Sequence, residues 1–209
     1  MKKIYLIALV AVSAVIASCG GTKSEPAAPV VPASPLVGEA KLVIDPSTST
    51  VGWTGEMLGL YSHNGTISIQ SGALELKDGK VVAGTFAIDM KNIKPTDANY
   101  TADDGHTAEN LVGHLSSPDF FDVATYPTAT FSITAVNGNT VEGNLTLRGR
   151  TNAEKIEVSS IALEGDNVRI KGKTTFNRQN YGVSFAMPVK DKVLSDNIEL
   201  SIDLVGKKS

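Results

Sequence analysis

Few of the side chains that do chemistry stand close enough in this sequence to act together. The three histidines are His63, His106 and His114. His106 and Glu109, in "HTAEN", are three positions apart, and on a helix such a pair reaches one metal ion. Asp103 and Asp104 lie just upstream. One reading is therefore a metal-dependent enzyme that uses the His106/Glu109 loop. Several features weigh against it. There is no HExxH, His114 falls on a different helical face from Glu109, and acidic residues at a helix start are favoured by the dipole without any metal. "DANYTADDG", Asp97 to Gly105, spaces its oxygen side chains as a calcium loop does, but the twelfth position from Asp97 is Ala108, where an EF-hand needs glutamate. It reads as a solvated loop. No serine stands in GxSxG, and no glycine-rich phosphate loop precedes a helix. Arg150, Arg178 and Lys192 read as solvent-exposed charges, with contact to a polar head group as the alternative. Tyr181, in "RQNYG", is the better polar candidate, because a phenol donates one hydrogen bond while its ring packs against an apolar chain. No metal, no catalytic residue and no cofactor is expected.

The remaining reactive side chain is Cys19, the only cysteine. It ends "MKKIYLIALVAVSAVIASC", in which Lys2 and Lys3 precede an apolar run from Ile4 to Ala17. That run has signal-peptide length and is short for a membrane span. Small residues before the cysteine resemble a bacterial lipobox, where cleavage frees Cys19 for acylation. An ordinary signal peptide with an incidental cysteine is the alternative. Four of the nine prolines lie within residues 20–40, a segment with too little apolar bulk to fold. It reads as a tether, which suits a lipid-anchored domain. The expected organisation is a leader over 1–18, a proline-rich tether over 19–40 and one folded domain over 41–209. The implied location is the periplasm or cell envelope of a diderm bacterium, with the membrane as a partner through the anchor. Without the two leader lysines, the 19 basic residues fall to 17 against 22 acidic ones, a net charge of −5. No basic patch stands out, and nucleic acid is not an expected partner.

The elements that would position these residues are strands. Period-2 alternation dominates residues 41–209. Val82, Gly84, Phe86, Ile88 and Met90 share one face. So do Val141, Gly143, Leu145 and Leu147, then Val168, Ile170, Gly172, Thr174 and Phe176, then Ile198, Leu200, Ile202 and Leu204. The phase slips at Ser71-Gly72 and again at Ser159-Ser160, and a β-bulge at each would keep the apolar set inward. Tight turns are expected at "KDGK", "VNGNT" and "EGDN". Eight strands follow, over about 41–56, 65–77, 81–93, 127–137, 140–149, 155–164, 167–177 and 196–206. The fold class is all-β, an eight-stranded antiparallel barrel closed up-and-down so that no edge is exposed. Gly84, Gly143 and Gly172 on the apolar face point to an interior cavity, or else to barrel corners. One long insertion interrupts the strands. Within it "TAENLVGHL" reads as a short helix, followed by "SSPDFFDVATYP". Phe120 and Phe121 are adjacent, so a strand would send them to opposite faces. Leaving a turn, both are free to face one apolar opening. They plug a core, line a cavity, or do both.

"VIDPSTSTVGWT", "GHLSSPDFFDVATYPTATF", "VEGNLTLRGRTN" and "FNRQNYGVSF", in this order, resemble the YceI-like polyisoprenoid-binding family. The likeness runs over about residues 41–206. It implies a lipocalin-like eight-stranded barrel, in an exported protein, with an isoprenoid lipid or quinone tail as ligand inside. It also implies lipid contacts from Trp53, Phe86, Ile88, Phe120, Phe121, Phe131, Leu145, Leu147, Ile170, Phe176 and Tyr181. Glu56-Met57 stands where many members have Lys-His, and "GHTAEN" where many have Arg-Asp, so the family's polar head-group contacts do not carry over. A homodimer is compatible with the likeness. The rival readings are the metal-dependent envelope enzyme and a packed structural envelope lipoprotein, whose mark would be a barrel with no cavity.

Overall fold

A computed structural model of the chain describes residues 36–101, 106–186 and 193–209. The leader, Cys19 and residues 20–35 of the tether lie outside the described residues, as do Asp103, Asp104 and Lys192. No helix among the described residues is long and apolar enough to cross a membrane.

Among the described residues nine strands form: β1 (Glu39–Ile44), β2 (Thr50–Met57), β3 (Tyr61–Lys77), β4 (Lys80–Pro95), β5 (Thr128–Asn137), β6 (Thr140–Leu147), β7 (Arg150–Glu164), β8 (Asn167–Asn177) and β9 (Leu194–Lys208). The first starts two residues earlier than the expected domain boundary at 41. β1 and β2 each pair with both β3 and β9. They are one stave of the barrel, expected as a single strand over 41–56 but broken at residues 45–49. The break has a local cause. Pro46 has no N–H to give a ladder, and the Asp45 carboxylate accepts from the Ser47 backbone N–H at 3.0 Å and from its hydroxyl at 2.6 Å, which turns the chain. The buried Ser49 hydroxyl then accepts from Val205 N at 2.9 Å. From β3 to β9 every strand pairs antiparallel with the next, and β9 meets the broken stave. The result is a closed eight-stranded antiparallel barrel.

Both expected bulges are present. Gln70 is skipped between the pairs Ile69↔Ile88 and Ser71↔Ala87, and Ser159 between Val158↔Gly172 and Ser160↔Lys171. Further irregularities were not legible, and two of them bear on the expected strands. A slip between Glu75↔Ala83 and Leu76↔Val81 leaves Val82 unpaired. Val82 therefore points outward, 46% exposed, and Val81 takes its place inside. This corrects the expected face. The turn after β6 falls at Arg148-Gly149, inside the strand expected over 140–149. Both residues have positive φ, 50° and 71°, the pairing that a tight hairpin matching strand twist requires. Asp78-Gly79 closes the β3–β4 hairpin the same way, at 48° and 73°.

The helix α1 (Ala108–Ser116) forms where expected. Thr107 caps it by accepting from Asn110 N at 3.2 Å. It lies in the 32-residue connection between β4 and β5, at the barrel end shared with the β2–β3, β6–β7 and β8–β9 connections.

Candidate functional site

The inward faces of the staves do not meet at the centre. They enclose a cavity of about 760 Å³, walled almost wholly by apolar side chains. That is within the range of about 300–1,000 Å³ usual for small-molecule sites. Ten of the eleven expected contact residues line it: Trp53, Phe86, Ile88, Phe120, Phe121, Phe131, Leu145, Leu147, Ile170 and Phe176. They come from strands β2, β4, β5, β6 and β8 and from the turn after α1, and alternation brings them to one interior.

Of the three inward glycines expected to mark the space, Gly172 lines the cavity and Gly84 and Gly143 do not. A Cβ on Gly143 would collide with the Phe131 ring and the Ser132 carbonyl. One on Gly84 would meet Leu74 Cδ1 at 2.8 Å and Ile133 Cδ1 at 3.1 Å, and one on Gly172 the Glu157 carbonyl at 3.0 Å. Neighbours on adjacent strands fill those positions. Gly55, on β2, is different: a Cβ there would meet only Ile198 Cδ1, at 3.6 Å.

Tyr181 is the exception among the expected contacts. It is fully buried and outside the cavity wall. Its ring packs edge-on against Phe176, centroids 5.5 Å apart, and its hydroxyl donates to Glu154 Oε1 at 2.7 Å. Burial, and then the neighbouring Glu154 carboxylate, push the phenol pKa upward. Glu154 itself lines the cavity. Of this pair, the polar side chain that reaches the cavity is Glu154 and not Tyr181. Arg178 is not the solvent-exposed charge expected, nor a charge at the rim. Its side chain is 3% exposed and donates to the Val183 carbonyl at 2.7 Å, the Ser195 carbonyl at 3.0 Å and Asp196 Oδ1 at 2.9 Å. It ties the turn after β8 to the start of β9. Arg150 is exposed, as expected.

The insertion closes one end of the barrel. Phe120 N–H donates to the Ser117 carbonyl and Phe121 N–H to the Leu115 carbonyl, at 3.0 and 3.1 Å, so the pair stands on a turn and not a strand. Phe120 is buried and Phe121 half-buried. Their centroids lie 6.0 Å apart in an edge-to-face arrangement. His114 of α1 packs edge-on against Phe120 at 4.8 Å and Phe185 at 4.5 Å. Leu111, His114, Leu115 and Phe185 join the lining. The Arg148 guanidinium holds this end together, donating to the Pro118 carbonyl at 2.6 Å and to the Gly182 carbonyl. Phe120 and Phe121 therefore plug this end and face the cavity as well.

At the same end sits a polar rim that was not expected. Tyr61, His63, Asn99, Tyr100, Thr101 and His106 reach the cavity. Asp97 lies behind them, its side chain 5% exposed. It accepts from Tyr100 Oη at 2.8 Å, from Asn64 N and Asn99 N at 3.0 Å each, and from His63 Nδ1 at 3.2 Å. Burial pushes the Asp97 pKa up, but these bonds outweigh it and hold the carboxyl below its usual range. Asp97 is thus no part of a solvated loop. Two of the missed residues, His63 and Glu154, had a signal. His63 is in phase with Ile67 and Ile69, and Glu154 with Ile156 and Val158, so each sits on an apolar face. His106 precedes α1, its backbone bridged to Thr101, so the helical spacing argument for a His106/Glu109 metal pair does not apply. Among the described residues, no group of three or more His, Cys, Asp or Glu is placed to hold a metal.

Comparison with known proteins agrees with this architecture. The YceI-like domain profile matches residues 42–206. A UPF0312 protein of Pseudomonas aeruginosa is 30% identical over 138 residues, covering 59% of this chain and 69% of that protein. A UPF0312 protein of Staphylococcus aureus is 37% identical over 78 residues, covering 34% of this chain and just under half, 46%, of that relative. Two solved structures share the fold. BcnA of Burkholderia cenocepacia superposes with a TM-score of 0.61 at 21% identity, over 78% of this chain and 98% of that one. A polyisoprenoid-binding domain from Saccharophagus degradans, described as implicated in plant cell wall breakdown, gives a TM-score of 0.53 at 12% identity, over 81% and 99%. With the profile match spanning the whole barrel, the chain belongs to the YceI-like domain family.

Proposed function

We propose that this chain binds a long apolar lipid, a polyisoprenoid or a quinone with an isoprenoid tail, inside the barrel, and that it works as a carrier or reservoir in the bacterial cell envelope and not as an enzyme. The observation that carries this reading is the cavity of about 760 Å³ with apolar walls, closed at one end by α1 and the Phe120-Phe121 turn. Each CH₂ moved from water into such a space contributes about 0.8 kcal/mol, so a long chain needs few polar contacts to bind tightly. The polyisoprenoid-binding domain of Saccharophagus degradans, a relative in fold, supports the ligand class. A packed structural barrel is disfavoured by the volume itself. The envelope location rests on the leader-like start and on Cys19, whose acylation would anchor the domain beyond its tether.

The test is mass spectrometry of an organic extract from the full chain purified in its native host. The expected result is one isoprenoid species in near-stoichiometric amount. An extract free of lipid, from a protein that also takes up no added isoprenoid, would refute the reading.

A further inference from the structure

The cavity has one polar device whose parts are already committed in a definite sense. His63 lines the cavity. Its ring is stacked on Tyr100, with centroids 5.3 Å apart and planes 12° apart, and meets Tyr61 edge-on at 5.2 Å. Its Nδ1 faces both Asp97 oxygens, at 3.2 and 3.3 Å. A carboxylate only accepts, so the ring hydrogen sits on Nδ1. In the neutral imidazole Nε2 is then a bare acceptor. It has no hydrogen-bond partner among the described residues. Asp97 is in turn held by Tyr100 and two backbone N–H groups, so the ring is fixed in plane and in tautomer. A ligand that satisfies this arrangement brings a donor.

Resting on the lipid-binding reading above, we propose that His63, positioned by Asp97, forms a head-group subsite whose Nε2 accepts from the hydroxyl of an isoprenoid. That hydroxyl belongs to a prenyl alcohol or to a prenylated hydroquinone. The site discriminates against the methyl ether and against the oxidised quinone, which present only acceptors to an acceptor. An unmatched pair of this kind inside a low-dielectric wall costs both partners their water.

The experiment compares ligands that differ only in the O–H. Geranylgeraniol is set against its methyl ether, and a prenylated hydroquinone, kept anaerobic, against its quinone. Affinities are read by displacement of a naphthylamine fluorophore from the full chain, at one fixed pH for all ligands. We expect the hydroxyl form to bind about tenfold tighter in at least one pair. Which pair shows it identifies the source of the hydroxyl. His63→Phe should erase the difference within each pair. Equal affinities within both pairs overturn the subsite and leave lipid binding standing. Failure of all four ligands to displace the probe overturns both. A preference that survives in folded His63→Phe also overturns it. Should that variant not fold, the parent comparison still decides, together with the ¹⁵N spectrum of His63. A spectrum with the hydrogen on Nε2 would refute the positioning by Asp97.

Discussion

Replacing Gly55 by leucine should fill the cavity without breaking the barrel. Gly55 lies in β2, in phase with Val51, Trp53 and Met57, all of which line the cavity. Its backbone is ordinary strand, with no positive φ. A Cβ there finds only Ile198 Cδ1 at 3.6 Å, which is van der Waals contact and not a clash. Leucine adds four carbons that point at the space the lipid needs. If they displace three or four CH₂ groups of the ligand, at about 0.8 kcal/mol each, binding weakens by about 3 kcal/mol, or roughly a hundredfold. Stability should hold or rise, since removing a strand glycine recovers about 0.5–1 kcal/mol of backbone entropy. The contrast is Gly143→Ala, where the Phe131 ring and the Ser132 carbonyl already occupy the Cβ position. That smaller change should cost about 1–3 kcal/mol through overpacking. The assay is thermal unfolding of apo protein beside displacement of a fluorescent lipid probe. If Gly55→Leu destabilises as much as Gly143→Ala, the interior is packed. If it leaves affinity untouched, the ligand does not occupy this space.

Other outcomes follow from single side chains. Phe120→Ala should lower stability by about 3–5 kcal/mol, since its ring is buried against His114 and Phe185. Phe121→Ala, half-buried, should cost less in unfolding and more in lipid retention, read by chemical denaturation and by extraction. Arg178→Met leaves the Val183 and Ser195 carbonyls without their donor, while Asp196 keeps Gln179 Nε2 at 2.7 Å, at a cost of about 1–3 kcal/mol seen in melting. Asp97 has a folded pKa held below its usual value. Its stabilising contribution is therefore complete above the unfolded value, about 3.9, and is lost as pH falls through the folded one. Asp97→Asn should flatten that acid limb in a pH series of melting temperatures. Cys19→Ala should release the protein from membranes, and a variant still bound after a salt wash would refute the anchor.

Much of the barrel was legible because period-2 alternation is a local property of the chain. Phe86, Leu145, Ile170 and Phe176 could be placed on an inward face without knowing their partners, and the phase slips at Ser71-Gly72 and Ser159-Ser160 announced bulges that the ladders contain. The α1 boundaries followed from Thr107 and Pro118 in the same local way. What alternation does not carry is the pairing between strands. Val81 and Val82 are both apolar, and only the register of β3 against β4 decides which one turns inward. Tyr181 and Glu154 are 27 positions apart and His63 and Asp97 are 34 apart, so no spacing rule joins them. Arg178 looks like any surface arginine until the start of β9 supplies its acceptors. The cavity was expected from three glycines, of which Gly172 lines it while Gly84 and Gly143 are covered by their neighbours. Its presence depends on the closed circumference of eight staves, a distance set by all the strands together and written in none of them alone.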